Sequence, residues 1–417
     1  MKKIKTRLSN EKATIASNYG YLLFLQGANY LLPLLILPFL VRVLGTEKYG
    51  LVMFAQSMAV ILSVIVDFGF NLSGTREISI AFKEKKKLSE VFSTILILKI
   101  ILIAVAFLIL VFVTTFFARF NTNKDVYMLS FGIVIGQALF PTWFFQGIEK
   151  MKLITAINVL AKVIFTALVL VVVKDETQYL LVPIFNSIGF IISGFLGVTI
   201  SFKYVKIVIP KYALIKSLFL ESSVLFFSNL GASLSTSANV LVLGLFTGNS
   251  TVGVYSSIEK LIIAAKNIYT PFFQAAYPWF AKQPKRIKIV TLKKILPVMF
   301  FVGVLINATI LLFGKKILTL IYNNELISSY ANIFKIVSFI TLLSAIHMTF
   351  ITMYFPSEKQ YSIRMRILVT GGIVNLIMAF MLSKLYGIYG TAIACMLTEL
   401  LLLLLAIYFF KKTTKNE

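Results

Sequence analysis

The chain is divided into apolar blocks of roughly 20 residues, separated by short basic loops, and this pattern limits the possible folds more than any other feature. A helix of that length crosses the hydrocarbon core of a bilayer. Apolar residues make up 59% of the chain and the mean hydropathy is +0.90, well above the values of soluble domains. The pattern therefore predicts an all-α integral membrane protein and excludes a soluble domain built around one buried core.

Twelve such blocks are predicted transmembrane helices. They lie at about residues 19–41, 50–73, 92–117, 126–147, 153–173, 178–202, 218–246, 251–280, 295–313, 330–355, 367–386 and 388–410. The connecting loops alternate between the two sides of the membrane. The side that holds the N-terminus carries 28 Lys and Arg against 8 on the other, with Lys384 at the end of the eleventh span counted in the loop that follows it. Because basic residues accumulate in cytoplasmic loops, this bias predicts that both termini are cytoplasmic.

The formal net charge of +25 could also indicate nucleic-acid binding. The basic residues lie in loops between apolar blocks, however, which favours a role in membrane topology. Cys395 is the only cysteine and His347 the only histidine, so the sequence predicts neither a disulfide nor a metal cage of these residues. No phosphate-binding loop, catalytic triad, cofactor motif or cleavable signal peptide is evident, so we predict a protein that is not an enzyme.

A weak internal repeat suggests two lobes of six helices. The segment Gly50-Leu51-Val52 aligns with Gly253-Val254-Tyr255 at an offset of 203 residues. Because each half holds an even number of spans, both halves would share one orientation, related by a pseudo-two-fold axis along the membrane normal. We predict an N-terminal lobe at 1–208 (spans 1–6) and a C-terminal lobe at 209–417 (spans 7–12).

Polar residues at membrane depth mark the candidate sites of the N-terminal half. Gln26 and Asn29 interrupt the first span and Asp67 the second. Lys162 stands mid-way along the fifth span, within a polar stripe. Such groups are costly in lipid and usually line a path or a cavity. We predict that Gln26, Asn29 and Lys162 bind substrate and that Asp67 couples transport to an ion, with interhelical hydrogen bonding as the alternative.

The C-terminal half carries a second polar group. Asn229 lies on the seventh span, and the eighth holds Glu259, Lys260 and Lys266. One acid and two bases leave a net positive charge, which would suit an anionic headgroup. We predict that Asn229 and the two lysines bind substrate and that Glu259 is a second ion-coupling candidate. The alternative is an internal Glu–Lys pair that stabilises packing.

Four further residues are interpreted as structural. Glu399 and His347 stand alone in apolar spans with no partner evident from the sequence. Lys99 lies about two turns from the cytoplasmic end of its span and is expected to extend towards water. Trp143 suits the aromatic belt at a membrane interface.

Two segments resemble a known family. The first runs from residue 18 to 77 and the second from 141 to 152. Their matching motifs are Gln26-Gly27, Asn29-Tyr30, Leu32-Pro33, Leu40-Val41-Arg42, Leu44-Gly45, Tyr49-Gly50, Gly69-Phe70-Asn71-Leu72, Thr75-Arg76-Glu77, Pro141, Trp143-Phe144-Phe145-Gln146-Gly147 and Glu149-Lys150-Met151-Lys152. They are similar to the repeat-unit flippases of the polysaccharide transport family (the Wzx, or O-antigen transporter, type), within the multidrug/oligosaccharidyl-lipid/polysaccharide exporter superfamily.

The resemblance implies a flippase of the bacterial inner membrane that moves undecaprenyl-pyrophosphate-linked oligosaccharide repeat units by alternating access. A lipid-linked oligosaccharide is then the expected partner, with other polysaccharide assembly proteins as further partners. Three alternatives stay open. The chain could be an ion-coupled small-molecule exporter of the same superfamily, a membrane-embedded polysaccharide polymerase, or a scaffold. Short predicted loops on the outer side argue against the polymerase.

Overall fold

The computed structural model describes the backbone of residues 2–234 and 237–415, and the side chains of residues 27, 32 and 35–414 except 235–236, 274–275 and 278. Throughout these described residues the chain is helical and contains no β-strand. A helix satisfies its backbone hydrogen bonds within one segment, which is the requirement that lipid imposes on a spanning chain. The predicted all-α class is therefore confirmed.

Seventeen α-helices form within the described residues. They are α1 (Lys2–Asp67), α2 (Phe70–Ala81), α3 (Lys85–Phe116), α4 (Ala118–Asn121), α5 (Lys124–Leu139), α6 (Thr142–Gly147), α7 (Met151–Val172), α8 (Leu181–Ser201), α9 (Tyr212–Leu234), α10 (Ala238–Phe246), α11 (Asn249–Lys266), α12 (Tyr269–Ala281), α13 (Lys285–Tyr322), α14 (Glu325–Ser329), α15 (Ala331–Met348), α16 (Phe355–Ser357) and α17 (Tyr361–Lys415). A short 3₁₀-helix (Glu176–Gln178) precedes α8, and a π-helix (Thr349–Tyr354) continues α15.

Nine candidate membrane spans are present in the described part of the chain, against the twelve predicted. Tyr361–Thr414 covers the last two predicted spans, and Leu35–Ala81 covers the second together with the last seven residues of the first. The predicted span at 251–280 is not among the nine, because it is divided into α11 and α12 and its first half carries Glu259, Lys260 and Lys266. The nine spans establish a multi-pass membrane protein, while the twelve-helix arrangement stays a prediction.

Two glycines break the longest helices where the sequence predicts turns between spans. Gly45 in α1 has φ 65° and ψ 170°, and Gly387 in α17 has φ 54° and ψ −129°. These conformations are easily reached only by a residue without a Cβ atom. The 54-residue span Tyr361–Thr414 would rise about 81 Å as one straight helix, far beyond a hydrocarbon core of about 30 Å. Each break therefore allows the chain to turn back through the membrane.

Internal contacts divide the chain into two units. Unit 1 comprises Met1–Ile36, Leu62–Lys174 and Gln178–Phe226, and unit 2 comprises Leu37–Ile61, Asp175–Thr177 and Phe227–Glu417. A unit defined by contacts need not follow a sequence repeat, so the predicted lobes at 1–208 and 209–417 stay a prediction.

The core of unit 1 is aromatic. Phe92 of α3 packs edge-on against Phe144 of α6, with 5.1 Å between the ring centroids, and its centroid lies 5.6 Å from that of Trp143. Trp143 is only 1% exposed, so its predicted place in an interfacial belt is wrong. Helix α6 is a short segment set off by Pro141, and it turns its aromatic residues into the core of unit 1.

The aligned repeat segments contact each other within unit 2. Thr46 Oγ1 lies 2.9 Å from Ser250 Oγ. Thr46 stands four residues before Gly50, and Ser250 stands three residues before Gly253. A Cβ atom built on Gly50 would lie 2.6 Å from the backbone nitrogen of Gly253, too close for any larger residue without movement of the backbone. Small residues of this kind let two helices approach closely within a membrane. The two glycines that the offset of 203 residues aligns therefore pack face to face.

Candidate functional site

A polar cavity of about 410 Å³ lies among the helices of unit 2. Its wall combines the second half of α1 with α10, α11, α15 and α17. The polar and charged lining residues are Gln56, Ser57, Ser237, Asn239, Tyr255, Ser256, Glu259, Lys260, Lys266, Asn267, Cys395 and Glu399. The helical spacing of α11 brings the three charged residues predicted on this span to one cavity.

Glu399 of α17 joins three side chains at one edge of the cavity. Its Oε1 accepts from Lys266 Nζ at 2.5 Å, and its Oε2 accepts from Ser344 Oγ at 2.8 Å. His347 Nε2 also contacts Oε2. We call these four residues the Glu399 cluster. A buried carboxylate needs both a counter-charge and several donors, and this cluster supplies both.

The imidazole ring of His347 is oriented by its partner. An ionised carboxylate can only accept, so a hydrogen bond to Glu399 requires a proton on Nε2, the nitrogen that faces it. The other ring nitrogen, Nδ1, is buried and has no hydrogen-bond partner among the described residues. The sole histidine of the chain is therefore held by a single carboxylate.

The four charged residues of the cavity lining sum to zero. Lys266 is neutralised by Glu399, whereas Lys260 makes no ion pair with any described residue and has Glu259 as its electrostatic neighbour. The expected net positive charge is therefore wrong for this cavity, because Glu399 adds a second acid from a helix far away in the sequence. Of the two lysines in the lining, Lys260 is the one that no described carboxylate pairs with.

Neutral side chains tie the same helices together. Asn375 of α17 donates to the side-chain oxygen of Asn239 and to the backbone oxygen of Leu234, both at 2.9 Å, and accepts from Thr398 at 2.9 Å. Tyr255 OH lies 3.1 Å from Cys395 Sγ. Among the described residues, no group of three or more His, Cys, Asp or Glu side chains could hold a metal ion.

Unit 1 contains a separate ion pair at membrane depth. Lys99 Nζ of α3 lies 3.3 Å from Asp67 Oδ1 at the end of α1. Lys99 is only 2% exposed, so the expectation that it extends towards water is wrong. The neighbouring carboxylate gives the ammonium group a counter-charge inside the protein, which removes the need to reach water.

Lys162 lies half-buried on α7, also in unit 1. Thr155 and Thr166 of its predicted stripe are buried, while the Asn158 side chain donates back to the oxygen of Ile154 at 2.9 Å. Lys260 and Lys266 lie in unit 2, and the predicted joint action of the three lysines stays a prediction.

Asn229 is the remaining predicted binding residue whose side chain the structure describes. It is half-buried on α9 and does not belong to the cavity lining. The side chains of Gln26 and Asn29 lie outside the described residues.

The sequence did not reveal the partners in the Glu399 cluster. Glu399 and His347 are visible as lone polar residues in apolar spans, and an ionisable group at that depth requires a partner. That rule predicts that a partner exists but not which one. Ser344, Lys266 and Glu399 lie on three helices, so only their packing identifies the contact.

Known proteins are similar to nearly the whole chain. A candidate O-antigen transporter of Escherichia coli strain K12 is 28% identical over 415 residues, which cover 97% of this chain and 98% of that protein. A candidate O-antigen transporter of Shigella dysenteriae is 30% identical over 398 residues, which cover 92% of this chain and 97% of that protein. Among solved structures, the lipid II flippase MurJ in an inward closed conformation matches with a TM-score of 0.72 and 12% identity, covering 95% of this chain and 87% of that one.

At 12% identity, the match to MurJ shows a shared fold only. Membership of a family is shown by the sequence. The family model described as polysaccharide biosynthesis protein matches residues 15–283, more than half of the chain. This chain therefore belongs to the polysaccharide biosynthesis protein family.

Proposed function

We propose that the chain is a flippase, a transporter rather than an enzyme, that moves a lipid-linked polysaccharide precursor across the bacterial inner membrane. The observation that carries the proposal is the polar cavity of unit 2, whose charged and hydroxyl groups lie among the helices of a multi-pass protein. This protein belongs to a family of polysaccharide biosynthesis proteins. Groups of this kind are retained at membrane depth chiefly for function. The names of the two sequence relatives and of MurJ support a precursor of this class.

The specific substrate proposed is an undecaprenyl-pyrophosphate-linked oligosaccharide repeat unit, of O-antigen or a related surface polysaccharide. Its pyrophosphate would bind to Lys260 and Lys162, which attract it as point charges, with Gln26, Asn29 and Asn229 as hydrogen-bonding partners of the sugars. The lipid tail would stay in the bilayer. Rocking of the two predicted lobes, 1–208 and 209–417, would expose the site to each side in turn.

Lys266 takes a changed part in this mechanism. Because Glu399 already neutralises it, Lys266 would attract a pyrophosphate only if the Glu399 contact opened during the cycle. Asp67 and Glu259 stay the proposed ion-coupling residues. Other polysaccharide assembly proteins are proposed partners, and both termini are proposed to be cytoplasmic from the bias of the basic residues.

One rival function is an ion-coupled exporter of small molecules. The formal charges of the cavity lining sum to zero, so they do not argue against a cationic substrate. The family match and the two sequence relatives now carry the preference for a polysaccharide precursor. A polymerase or a scaffold remains a rival that the transport test below can separate.

The test is complementation of a flippase-null strain, measured as surface polysaccharide per amount of membrane-inserted protein. At Lys162 and Lys260 we expect substitution by Arg to retain partial transport, by Ala to remove most of it, and by Glu to be worst, because the three changes differ in charge. The exposed Lys316, changed in the same three ways, serves as the matched control.

The ranking distinguishes a charge effect from lost packing, which would not order the three changes by charge. Full complementation by both the Ala and the Glu variants of Lys162 and Lys260 would show that the cationic residues do not carry transport. A scaffold would tolerate these changes, whereas a flippase would not. Lys266→Ala is unsuitable as a first test because it also leaves Glu399 without its counter-charge.

A further inference from the structure

A second polar group lies in unit 2, at the end where α12 finishes and α17 begins. Three chain segments meet there: Lys288 Nζ of α13 lies 2.6 Å from Glu358 Oε1, and Lys285 Nζ lies 3.2 Å from the oxygen of Thr413. The loop before α17 is held by this ion pair and by a bond of 3.0 Å from Lys288 Nζ to the oxygen of Ser357. The backbone that presents the first turn of α17 is therefore fixed.

Arg364 stands in that first turn, and none of the described carboxylates pairs with it. It is half-buried, and its Nε is fully buried with no hydrogen-bond partner in the described part of the chain. The nearby acid, Glu358, is taken by Lys288. A guanidinium group keeps its proton throughout the physiological range, so its burial can be offset by an anion but not by loss of charge.

Gln360 lies one helical turn before Arg364. Its side-chain atom that has no described partner is a hydrogen-bond acceptor, whereas that of Arg364 is a donor. Its Oε1 is buried and has no donor among the described residues. The backbone nitrogen of Arg364 bonds to the backbone oxygen of Gln360 at 3.2 Å, so the two side chains leave from adjacent turns. Tyr277 of α12 packs against the same apolar cluster as Ile363, the neighbour of Arg364, and lies within electrostatic range of Arg364.

We propose that Arg364, Gln360 and Tyr277 form a binding site for a phosphate ester that carries a neighbouring hydroxyl group. Phosphate oxygens accept from the guanidinium group, which is shaped to bind them in pairs. The hydroxyl group donates to Gln360 Oε1, and the tyrosine ring offers an apolar face beside a polar tip. A ligand with an acceptor alone would leave Gln360 unsatisfied, and a neutral sugar would leave Arg364 uncompensated.

Two molecules at a membrane have this chemistry. One is the glycosyl phosphate of a lipid-linked sugar, which would make the site part of the proposed transport function, and the inference then rests on that function. The other is phosphatidylglycerol of the bilayer, whose phosphate carries a glycerol, and for this ligand the inference is independent of transport.

The experiment measures binding to the purified full-length chain in detergent, by calorimetry. One arm uses glucose 1-phosphate with glucose as control, and the other uses dihexanoyl-phosphatidylglycerol with dihexanoyl-phosphatidylcholine as control. The wild-type chain is expected to bind at least one phosphate ester and neither control. Arg364→Ala should weaken that binding about ten-fold or more, since a charge-assisted hydrogen bond is lost. Arg366→Ala, an exposed arginine two residues along α17, should change it by less than about two-fold.

Gln360→Glu keeps the test valid if Arg364→Ala fails to fold. It places a carboxylate four residues before Arg364, which stabilises the helix and fills the anion site from within. We expect this variant to be folded, by size-exclusion and thermal unfolding, and to have lost phosphate-ester binding about ten-fold or more.

The site is overturned if the wild-type chain binds neither ester, or if Arg364→Ala and Gln360→Glu bind as the wild type does. Binding of glucose 1-phosphate alone supports a substrate contact, and binding of phosphatidylglycerol alone supports a lipid site. Failure of the proposed function is separate: it appears as full complementation by the Lys162 and Lys260 variants, a measurement that does not involve Arg364.

Discussion

Each unit contains a buried group of charged residues, and the two groups compensate their charges in different ways. In unit 1, Asp67 and Lys99 form a pair of one acid and one base, 3.3 Å apart. In unit 2, Glu399 gathers Lys266, Ser344 and His347 beside an open polar cavity. The pair uses up both of its charges on each other. The cluster, by contrast, has further charged residues beside it in the cavity lining, among them Lys260, which forms no ion pair with a described residue.

The two groups differ in how easily a ligand could contact one of their charges. In a closed pair, a ligand must displace one partner from the other before it gains any interaction, and displacing one member of a buried pair is strongly unfavourable. In the cavity of unit 2, Lys260 lines the wall without belonging to the Glu399 cluster, so the proposed anionic ligand would not need to displace a member of the cluster. We therefore assign the Glu399 cluster to shaping the cavity wall and Lys260 to contacting the ligand.

The largest expected effect comes from removing the centre of the Glu399 cluster. Glu399→Ala should lower the free energy of unfolding by about 3–5 kcal/mol, because Lys266 is left as an uncompensated buried charge. The double variant Glu399→Ala/Lys266→Met should recover most of the loss. Thermal unfolding of the detergent-purified chain measures both, with Glu325→Ala at an exposed acid as control. A double variant as unstable as the single one would show that the ion pair is not what Glu399 provides.

Breaking the Asp67–Lys99 pair of unit 1 should lower the free energy of unfolding somewhat less. Asp67→Ala is expected to lower the free energy of unfolding by about 3 kcal/mol, since Lys99 is buried while the Asp67 side chain is 20% exposed and water can partly replace it. Lys99→Met in the same chain should restore stability.

Transport by the same variants decides between coupling and structure. If Asp67 couples transport to a proton gradient, Asp67→Asn and the restored double variant should both transport slowly and lose their dependence on the gradient. Unchanged gradient dependence, at normal levels of inserted protein, would leave Asp67 as a structural partner of Lys99.

The smallest effect is expected at the edge of the Glu399 cluster. Ser344→Ala removes one donor to Glu399 Oε2 and should cost about 1 kcal/mol of unfolding free energy. Combined with Glu399→Ala the two losses should fall short of their sum, because the serine then has no carboxylate to bind. Ser329→Ala, at an exposed serine, is the control. Full additivity would mean that Ser344 acts apart from the cluster.

The sequence predicted those features that depend on one helix at a time. The spans follow from the length of the apolar runs, and the breaks at Gly45 and Gly387 fall where turns between spans were expected. The three charged residues of α11 reach one cavity because their spacing places them on neighbouring faces of a single helix. The family followed from motifs within residues 18–152.

Contacts between helices were decided only by the tertiary structure. Lys266 and Glu399 are 133 residues apart, and Asp67 and Lys99 are 32 apart, yet each pair meets within bonding distance. Hydrophobic periodicity is weak in a helix that is apolar on nearly all sides, so the sequence does not fix which face turns inwards. In lipid that rotation is set by close packing and by interhelical polar contacts. The sequence alone therefore determined which residues lie in the membrane and which charges need partners, and the packing of the helices decided which partner each one found.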